Sequence, residues 1–405
     1  MSEAGRARRT GRRGATILAR FIAYQLASWA ALAVVSRALW SFAPIAVVVL
    51  ALYTTIPLLL FVRWRGWPFY PRAWFRVLVV RVLLYTQLVL PFAAGGAVIG
   101  LLIGLAFGRA LLLGAALSSA VVAAATILLF AGYLGSRRLV VRAVEARVPG
   151  LPLAFDGVRI AQISDLHVGP HIPRRFLSRV ADAVAGAAPD MIAVTGDVVD
   201  DRAEDVPWYA AAFAGLKAPL GVYVIPGNHD IYAGWDAVSC SLRQRTDATI
   251  LVNDSRVVER GGARLAIVGT GDPAARAQRI GVPNESAAPD VDRALARVPA
   301  ATTVVAFAHN PALWPGLAER GVALTLSGHT HWGQFALPRL GWSLASPFLE
   351  HAMGAHRAGD ALLYINPGTG YWGIPFRLGA FPEITMVTLR SADEASLEIG
   401  KPLAA

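Results

Sequence analysis

Four apolar runs, at roughly 15–36, 43–62, 82–107 and 110–134, fill the first third of the chain. A helix crosses ~30 Å of hydrocarbon with about 20 residues, and each run is near or above that length. The second and fourth carry no charge. Small residues such as Ala93-Ala94-Gly95-Gly96 and Gly114-Ala115-Ala116 crowd the later two, which suits close helix packing. One such run is compatible with a buried helix of a soluble protein. Four in succession predict a bundle of about four transmembrane helices over 15–136, behind a basic N-terminal tail at 1–14.

Charge follows the same division. Residues 1–149 hold seventeen Arg against Glu3 and Glu145, a balance of +15, while the whole chain is +11, so everything after 149 sums to −4. The high pI describes only the front third, and no nucleic-acid partner is expected. Arg6, Arg8, Arg9, Arg12 and Arg13 precede the first run; Arg63, Arg65, Arg72 and Arg76 lie between the second and third; Arg137, Arg138, Arg142 and Arg147 follow the fourth. The other two connections hold only Arg37 and Arg109. By the positive-inside rule both ends and the middle loop are cytoplasmic, at the cell membrane, with Trp64, Trp67, Phe69, Tyr70, Trp74 and Phe75 as an interfacial belt. A cleaved signal peptide is a poor fit, because the apolar region continues through several spans. Cys240 is the only cysteine, which excludes an intramolecular disulfide and a Cys-rich metal site.

Beyond a linker at 137–157 the pattern changes to short apolar runs that end in polar residues and precede amphipathic segments. Val158–Ile163, Met191–Thr195, Gly221–Ile225, Thr303–Phe307 and Ala323–Leu326 read as buried strands. Pro173–Ala185, Ala203–Leu216, Val291–Val298 and Pro311–Glu319 read as helices. Arg256–Val268 reads as a hairpin about Gly261-Gly262, and Leu362–Ile365 and Glu383–Leu389 add strands. Such alternation predicts a layered α/β domain over 158–395, with a C-terminal tail at 396–405.

In α/β sheets ligands collect outside the carboxyl ends of strands. Here the five strands run into Ser164-Asp165-Leu166-His167, Thr195-Gly196-Asp197, Pro226-Gly227-Asn228-His229-Asp230, His309-Asn310 and Gly328-His329-Thr330-His331. Five of the eight histidines lie in these loops. Carboxylate and imidazole donors without thiolate suit Mn, Fe, Zn or Co. The spacing of two in Asp165/His167 and His329/His331 aims both members of a pair the same way if the backbone is locally extended. Gly196, Gly227 and Gly328 allow tight turns beside them. Two metals about 3.5–4 Å apart need a bridging group, and one carboxylate such as Asp197 can serve both. A lone His or Gly-Asp is an ordinary loop feature; five such elements, each at a strand end, form a metal-site pattern.

These five segments resemble the ordered motifs of the calcineurin-like metallophosphoesterases, and the resemblance covers about 158–390. It is nearest to the membrane-associated YkuE-like branch, supported by Pro367-Gly368-Thr369-Gly370, Pro375-Phe376-Arg377 and Pro382-Glu383-Ile384-Thr385. It implies a layered β-sandwich flanked by helices. It also implies that Asp165, His167 and His331 hold one divalent metal, that Asn228, His309 and His329 hold the other, and that Asp197 bridges them. His229 would contact phosphate or protonate the leaving oxygen, with Asp230 orienting it or, alternatively, capping a helix. Trp332 departs from the pattern, in which a second Gly commonly follows His-Thr-His, and is expected to reshape the substrate mouth.

The function this implies is membrane-anchored hydrolysis of a phosphomonoester, phosphodiester or pyrophosphate by a metal-activated hydroxide delivered in line. Anchoring at the bilayer makes a lipid-linked substrate one candidate. Arg339, Arg357 and Arg377 are candidates for binding its anion; His171, His351 and His356 fall outside the motifs, His351 being the best placed of them. No protein partner is predicted. A transporter with an appended domain is disfavoured, since no acidic residue lies within the spans. A non-catalytic metal-binding scaffold would have lost ligand positions, and all are present.

Overall fold

The computed structural model describes residues 3–64, 72–276 and 284–405. The chain divides into two compact units, Met1–Phe130 and Ala131–Ala405. The first contains α1 (Glu3–Ser36), α2 (Ala43–Trp64), a short α3 (Ala73–Phe75) continuing through a π-helical stretch at Arg76–Val80 into α4 (Arg81–Leu105), and most of α5 (Ala110–Gly135). Four segments, Ala19–Ser36, Ala43–Leu60, Arg76–Leu105 and Ala110–Gly135, are long and apolar enough to cross a membrane. Small residues do bring helices together: Ala97 and Ala115 are buried with Val35 in one cluster. Gln25 donates to Gln87 at 2.6 Å, pairing two amides that hydrocarbon would leave unsatisfied. The basic segment expected as a tail is helical from Glu3 onward, and Arg76, expected in a loop, is buried at the start of the π-helical stretch. Of the interfacial belt, Trp74 is exposed and Phe75 is buried, while Trp67, Phe69 and Tyr70, with Arg65, lie outside the described residues.

The second unit begins with β1 (Val140–Pro149) and β2 (Arg159–Ile163), then α6 (Arg174–Gly186), β3 (Met191–Val194), α7 (Val206–Phe213), β4 (Val222–Val224), α8 (Asn228–Tyr232), α9 (Trp235–Arg245) and β5 (Thr249–Ile250). The hairpin β6 (Asp254–Arg260) and β7 (Ala263–Gly269) follows, then α10 (Val291–Leu295), β8 (Thr303–Phe307), α11 (Trp314–Ala318) and β9 (Leu324–Ser327). The chain closes with β10 (Ala336–Leu337), β11 (Trp342–Ser343), β12 (Gly354–Ala358), β13 (Ala361–Ile365), β14 (Glu383–Ala392), β15 (Ser396–Ile399) and β16 (Leu403–Ala404).

Two sheets face each other. One runs β15-β1-β14-β2-β3-β4-β5, the other β12-β13-β9-β8-β7-β6, each with a parallel centre. Strand periodicity explains the layering. In β3, Met191 and Ala193 enter the core between the sheets, while Ile192 and Val194 face α6, α7 and α9. In β8, Val305 and Phe307 enter that same core, and Val304 and Ala306 face α10 and α11. Both faces of each sheet are therefore buried, which is why these strands read as continuous apolar runs. The result is the layered β-sandwich flanked by helices.

Two expected boundaries give way. The stretch 137–157 is largely strand: β1 pairs with β14 in parallel over all ten residues, from Val140 with Glu383 to Pro149 with Ala392. The tail at 396–405 supplies β15 and β16, both antiparallel to β1. Their charges disguise them. Arg142 meets Glu383 at 2.5 Å, and Arg147 meets Glu398 at 3.0 Å, so arginines read as topology signals are also cross-strand partners within the sheet.

Candidate metal centre

All five candidate loops leave the carboxyl ends of their strands on one side of the sandwich, three from β2, β3 and β4 and two from β8 and β9. Beneath them, buried Gln162 on β2 donates to the Ser327 carbonyl on β9 at 2.9 Å and to Thr195 Oγ1 at 3.0 Å, tying the two sheets together under the site. This amide carried no signal in the sequence.

The ligand loops are not extended. Asp165, His167, Asp197, His329 and His331 all have positive φ, between 46° and 69°. The paired side chains therefore converge through left-handed turns rather than through the extended backbone expected from their spacing. Each such residue costs of order 1 kcal/mol or more, and such strain persists only where surrounding contacts fix it. Here the Asp165 amide donates to Gly196 O and the His167 amide to Asp197 O, both at 3.0 Å. Of the three glycines, only Gly196 has a positive φ, at 92°. Gly328 serves close approach instead, since a Cβ there would strike Ser164 Oγ and Asp165 Oδ2.

The converging side chains form two sets about one carboxylate. In the first, His331 Nε2 lies 3.2 Å from Asp165 Oδ1 and 3.0 Å from His167 Nε2. In the second, Asn228 Oδ1 lies 2.7 Å from His329 Nδ1 and 3.2 Å from His309 Nε2. Asp197 Oδ2 stands between them, 3.5 Å from His167 Nε2 and 3.3 Å from His309 Nε2. Groups able to hold a metal ion include Asp165-His167-His331 and Asp165-Asp197-His309. A third, His167-Asp197-His229, shares two members with these.

Almost all of this is buried: Asp165 and His309 are 0% exposed, Asp197 1% and His167 2%. Packing carboxylates and imidazoles so closely away from water costs several kcal/mol per uncompensated charge, and divalent cations held there would supply the compensation. The four rings divide: against the cost of burial, Asp197 raises His309 well above the usual histidine range and the hydrogen bond to Asp200 raises His167, so a cation would have to displace protons from those two. Burial, then the positive charge of His309, pushes His329 down to about 4; burial, then Arg377, pushes His331 well below the usual histidine range. Both rings are thus neutral at pH 7, with lone pairs to donate. Burial works against charge on Asp197 too, but the adjacent His309 holds it well below the usual carboxylate range. The residues fit a pair of divalent ions.

Around the sets, several expectations change. Asp230 accepts from the Gly227 amide at 2.9 Å and the Val199 amide at 3.0 Å, with Gly227 at the N-cap of α8. It is a loop and helix cap, and burial, then Asp197, pushes it up to about 7. The carboxylate beside the His229 ring is Asp200, at 3.8 Å from Nδ1, and Nδ1 also meets the Asp200 carbonyl. The His229 amide donates to Asp197 Oδ1 at 2.8 Å. Arg377 is wholly buried: its guanidinium donates to the carbonyls of His331, Pro367 and Gly370 and lies 2.7 Å from His331 Nδ1. It positions His331, a candidate ligand, and cannot meet a substrate in solution. Arg339 and Arg357 are exposed. His351 meets Trp314 and His356 edge to face, with ring centres 5.0 and 4.9 Å away, and the Tyr371 hydroxyl donates to the His171 carbonyl. Trp332, expected at the mouth, is buried with Trp314, Leu363 and Ile365, its indole donating to Ile365 O. The exposed aromatics beside His229 are instead Tyr232, 5.5 Å away, and Trp372, 6.0 Å away.

Comparison with known proteins bears on the same segment. Residues 158–333 match the family model described as calcineurin-like phosphoesterase. An uncharacterized metallophosphoesterase of Helicobacter pylori strain J99 is 33% identical over 59% of this chain and 61% of its own. A Danio rerio transmembrane protein with metallophosphoesterase domain is 34% identical over 62% of this chain and 57% of its own. The chain thus spans less than two thirds of the length of these two relatives. The uncharacterized metallophosphoesterase YkuE of Bacillus subtilis is 30% identical over 60% of this chain, and the match covers 82% of YkuE. The chain belongs to the calcineurin-like phosphoesterase family.

Proposed function

We propose that this protein is a membrane-anchored, two-metal phosphoesterase that cleaves a phosphomonoester, phosphodiester or pyrophosphate, with its catalytic domain on the cytoplasmic side of the cell membrane. Asp165, His167 and His331 would hold one cation, Asn228, His309 and His329 the other, and Asp197 both; the nitrogen and oxygen donors favour Mn, Fe, Zn or Co. When bound, the two ions supply Lewis acidity to phosphoryl oxygens and acidify an attacking water. The observation that best supports the reading is the position of Asp197 Oδ2, 3.5 Å and 3.3 Å from a ring nitrogen of each set.

His229 has the chemistry of the proton donor. Its Nδ1 faces the Asp200 carbonyl, which can only accept, so Nδ1 carries a proton and Nε2 is the nitrogen left to take up a second one and pass it on. The ring is part-exposed, and Asp200 keeps it oriented while Nε2 protonates the departing oxygen. Asp230, by capping the turn, fixes Asn228 and His229 relative to Asp197. Anchoring favours substrates carried by lipid, because both are then confined to one surface.

Asp197→Asn or His331→Ala is expected to abolish metal-dependent hydrolysis of a bis-aryl phosphodiester by the detergent-solubilised full chain. Each variant is also expected to bind less metal, read by elemental analysis. Full activity in both variants overturns the proposal.

A further inference from the structure

Beyond α5, eleven large apolar side chains are exposed among the described residues, and six of them fall between 337 and 349. These are Leu337, Leu340, Trp342, Leu344, Phe348 and Leu349, with Leu340 76% and Phe348 80% exposed. They occupy the β10–β11 hairpin and the turn after it. Register pairs Leu337 with Trp342, so the two share a face, and the chain reverses at Gly341 beside Leu340. From Trp332 to Leu349 there is no acidic residue and one cation, Arg339. Scattered exposed leucines need no explanation; a run of this kind marks a contact surface.

The backbone shows where this surface is attached. Leu378 donates to the Gln334 carbonyl at 3.0 Å, and the Ala336 amide donates to Leu378 O at 2.9 Å, which fixes the base of the hairpin. The preceding residue, Arg377, donates its amide to Gly132 O at 2.8 Å, in the last turn of α5. All of these residues belong to the Ala131–Ala405 unit. The 377–378 segment thus lies between the hairpin base and the turn on which the fourth apolar helix ends, about two strand spacings, ~10 Å, in all. The end of a spanning helix lies at headgroup level, and Leu, Trp and Phe around a single Arg are the residues that settle there.

We propose that the β10–β11 hairpin is an interfacial foot, its apolar side chains entering the headgroup–acyl boundary of the bilayer that holds the helices, with Arg339 reaching lipid phosphates. The foot also adjoins the metal centre. Gln334 lies three residues past His331, and its side chain bonds the backbone of Trp372 through both oxygen and nitrogen at 3.1 Å. Trp372 is one of the two exposed aromatics beside His229. A seated foot brings that rim to the lipid surface, where an ester borne by a lipid would enter; this last step rests on the function proposed above.

The test uses the full chain in phosphatidylcholine–phosphatidylglycerol vesicles. In a Cys240→Ser background, Leu340→Cys or Asp292→Cys carries an environment-sensitive fluorophore, and doxyl-labelled lipids are the quencher. Quenching at 340 is expected to exceed that at 292 by about twofold or more, since contact quenching requires acyl chains at the probe. Equal quenching overturns the foot. So does disulfide crosslinking at 340 without quenching, which would make the hairpin a contact between two copies. A second arm compares a lipid-borne aryl phosphodiester with its soluble analogue. The double variant Leu340→Asp/Phe348→Asp is expected to lower the lipid-to-soluble rate ratio about tenfold, the scale of one apolar side chain withdrawn from lipid. An unchanged ratio overturns the link to the centre. Wild-type protein inactive on both esters counts against the phosphoesterase reading, while quenching still decides the foot.

Discussion

Arg377 shows how much a single buried cation can organise. Its guanidinium reaches three backbone carbonyls and the Nδ1 side of His331, and removal would leave those acceptors without a partner, at about 1–3 kcal/mol for each buried one. Partners that orient a metal-ligating histidine typically matter by 10–100-fold in metal affinity. Arg377→Lys keeps the charge but loses the planar fork, and is expected to weaken metal binding by about tenfold while circular dichroism stays native. Isothermal titration with Mn or Zn reads the effect; wild-type affinity in the lysine variant would make Arg377 merely a space-filler. The sequence did not reveal this role. An arginine 46 positions after His331 reads as a candidate for anion binding, and only its complete burial assigns it to the support of the site. Asp200 escaped notice for a related reason: its contact with His229 runs partly through a backbone carbonyl, which any residue type provides.

At the scale of elements, the strand-end loops were legible because each pairs an unbroken apolar run with ligand-type residues, and the structure gathers all five. What spacing could not show was the conformation that gathers them. Asp165/His167 and His329/His331 meet through left-handed turns, a geometry determined by hydrogen bonds to distant loops rather than by local sequence. Helices α8 and α9 went unread because Asn228–Arg245 opens with ligand-type residues and then lacks a strong apolar stripe. The β9 loop invites a direct test. Gly328→Ala places a methyl against Ser164 Oγ and Asp165 Oδ2, forcing the β9 loop away from the β2 loop. Overpacking of this kind costs about 1–3 kcal/mol, and here it would also part Asp165 from His331. The variant is expected to melt several degrees lower and retain little metal. Gly215→Ala, where a Cβ meets nothing within 4 Å, should match the wild type in both measurements. Equal behaviour of the two variants would refute the packing argument.

For the whole molecule, the decisive question is where the sandwich unit begins. Sequence composition draws the line after the arginine-rich stretch, because VVRAVEARVP looks like a charged continuation of the apolar segment. The fold draws it earlier. β1 lies inside the first sheet, between β14 and β15, and Val144, Ala146, Val148 and Leu151 are part of the core between the two sheets. Deleting everything before residue 155 would strip ten paired residues from β14 and remove those side chains from the core. At about 1.5–3 kcal/mol for each larger one, the loss rivals the 5–15 kcal/mol that separates a typical folded domain from its unfolded chain. It would also leave β14 as a long, bare edge, a template for aggregation. A fragment of residues 131–405 is therefore expected to purify as a monodisperse species with a cooperative melt. A fragment of residues 155–405 should be insoluble or lack a cooperative transition even with metal present. Size-exclusion chromatography and a thermal melt of both fragments distinguish the cases, and a stable, metal-binding 155–405 fragment would show that β1 is dispensable to the sandwich. The same strand follows α5 after only four residues, so an element built into the first sheet is also the first one reached along the chain from the apolar helices.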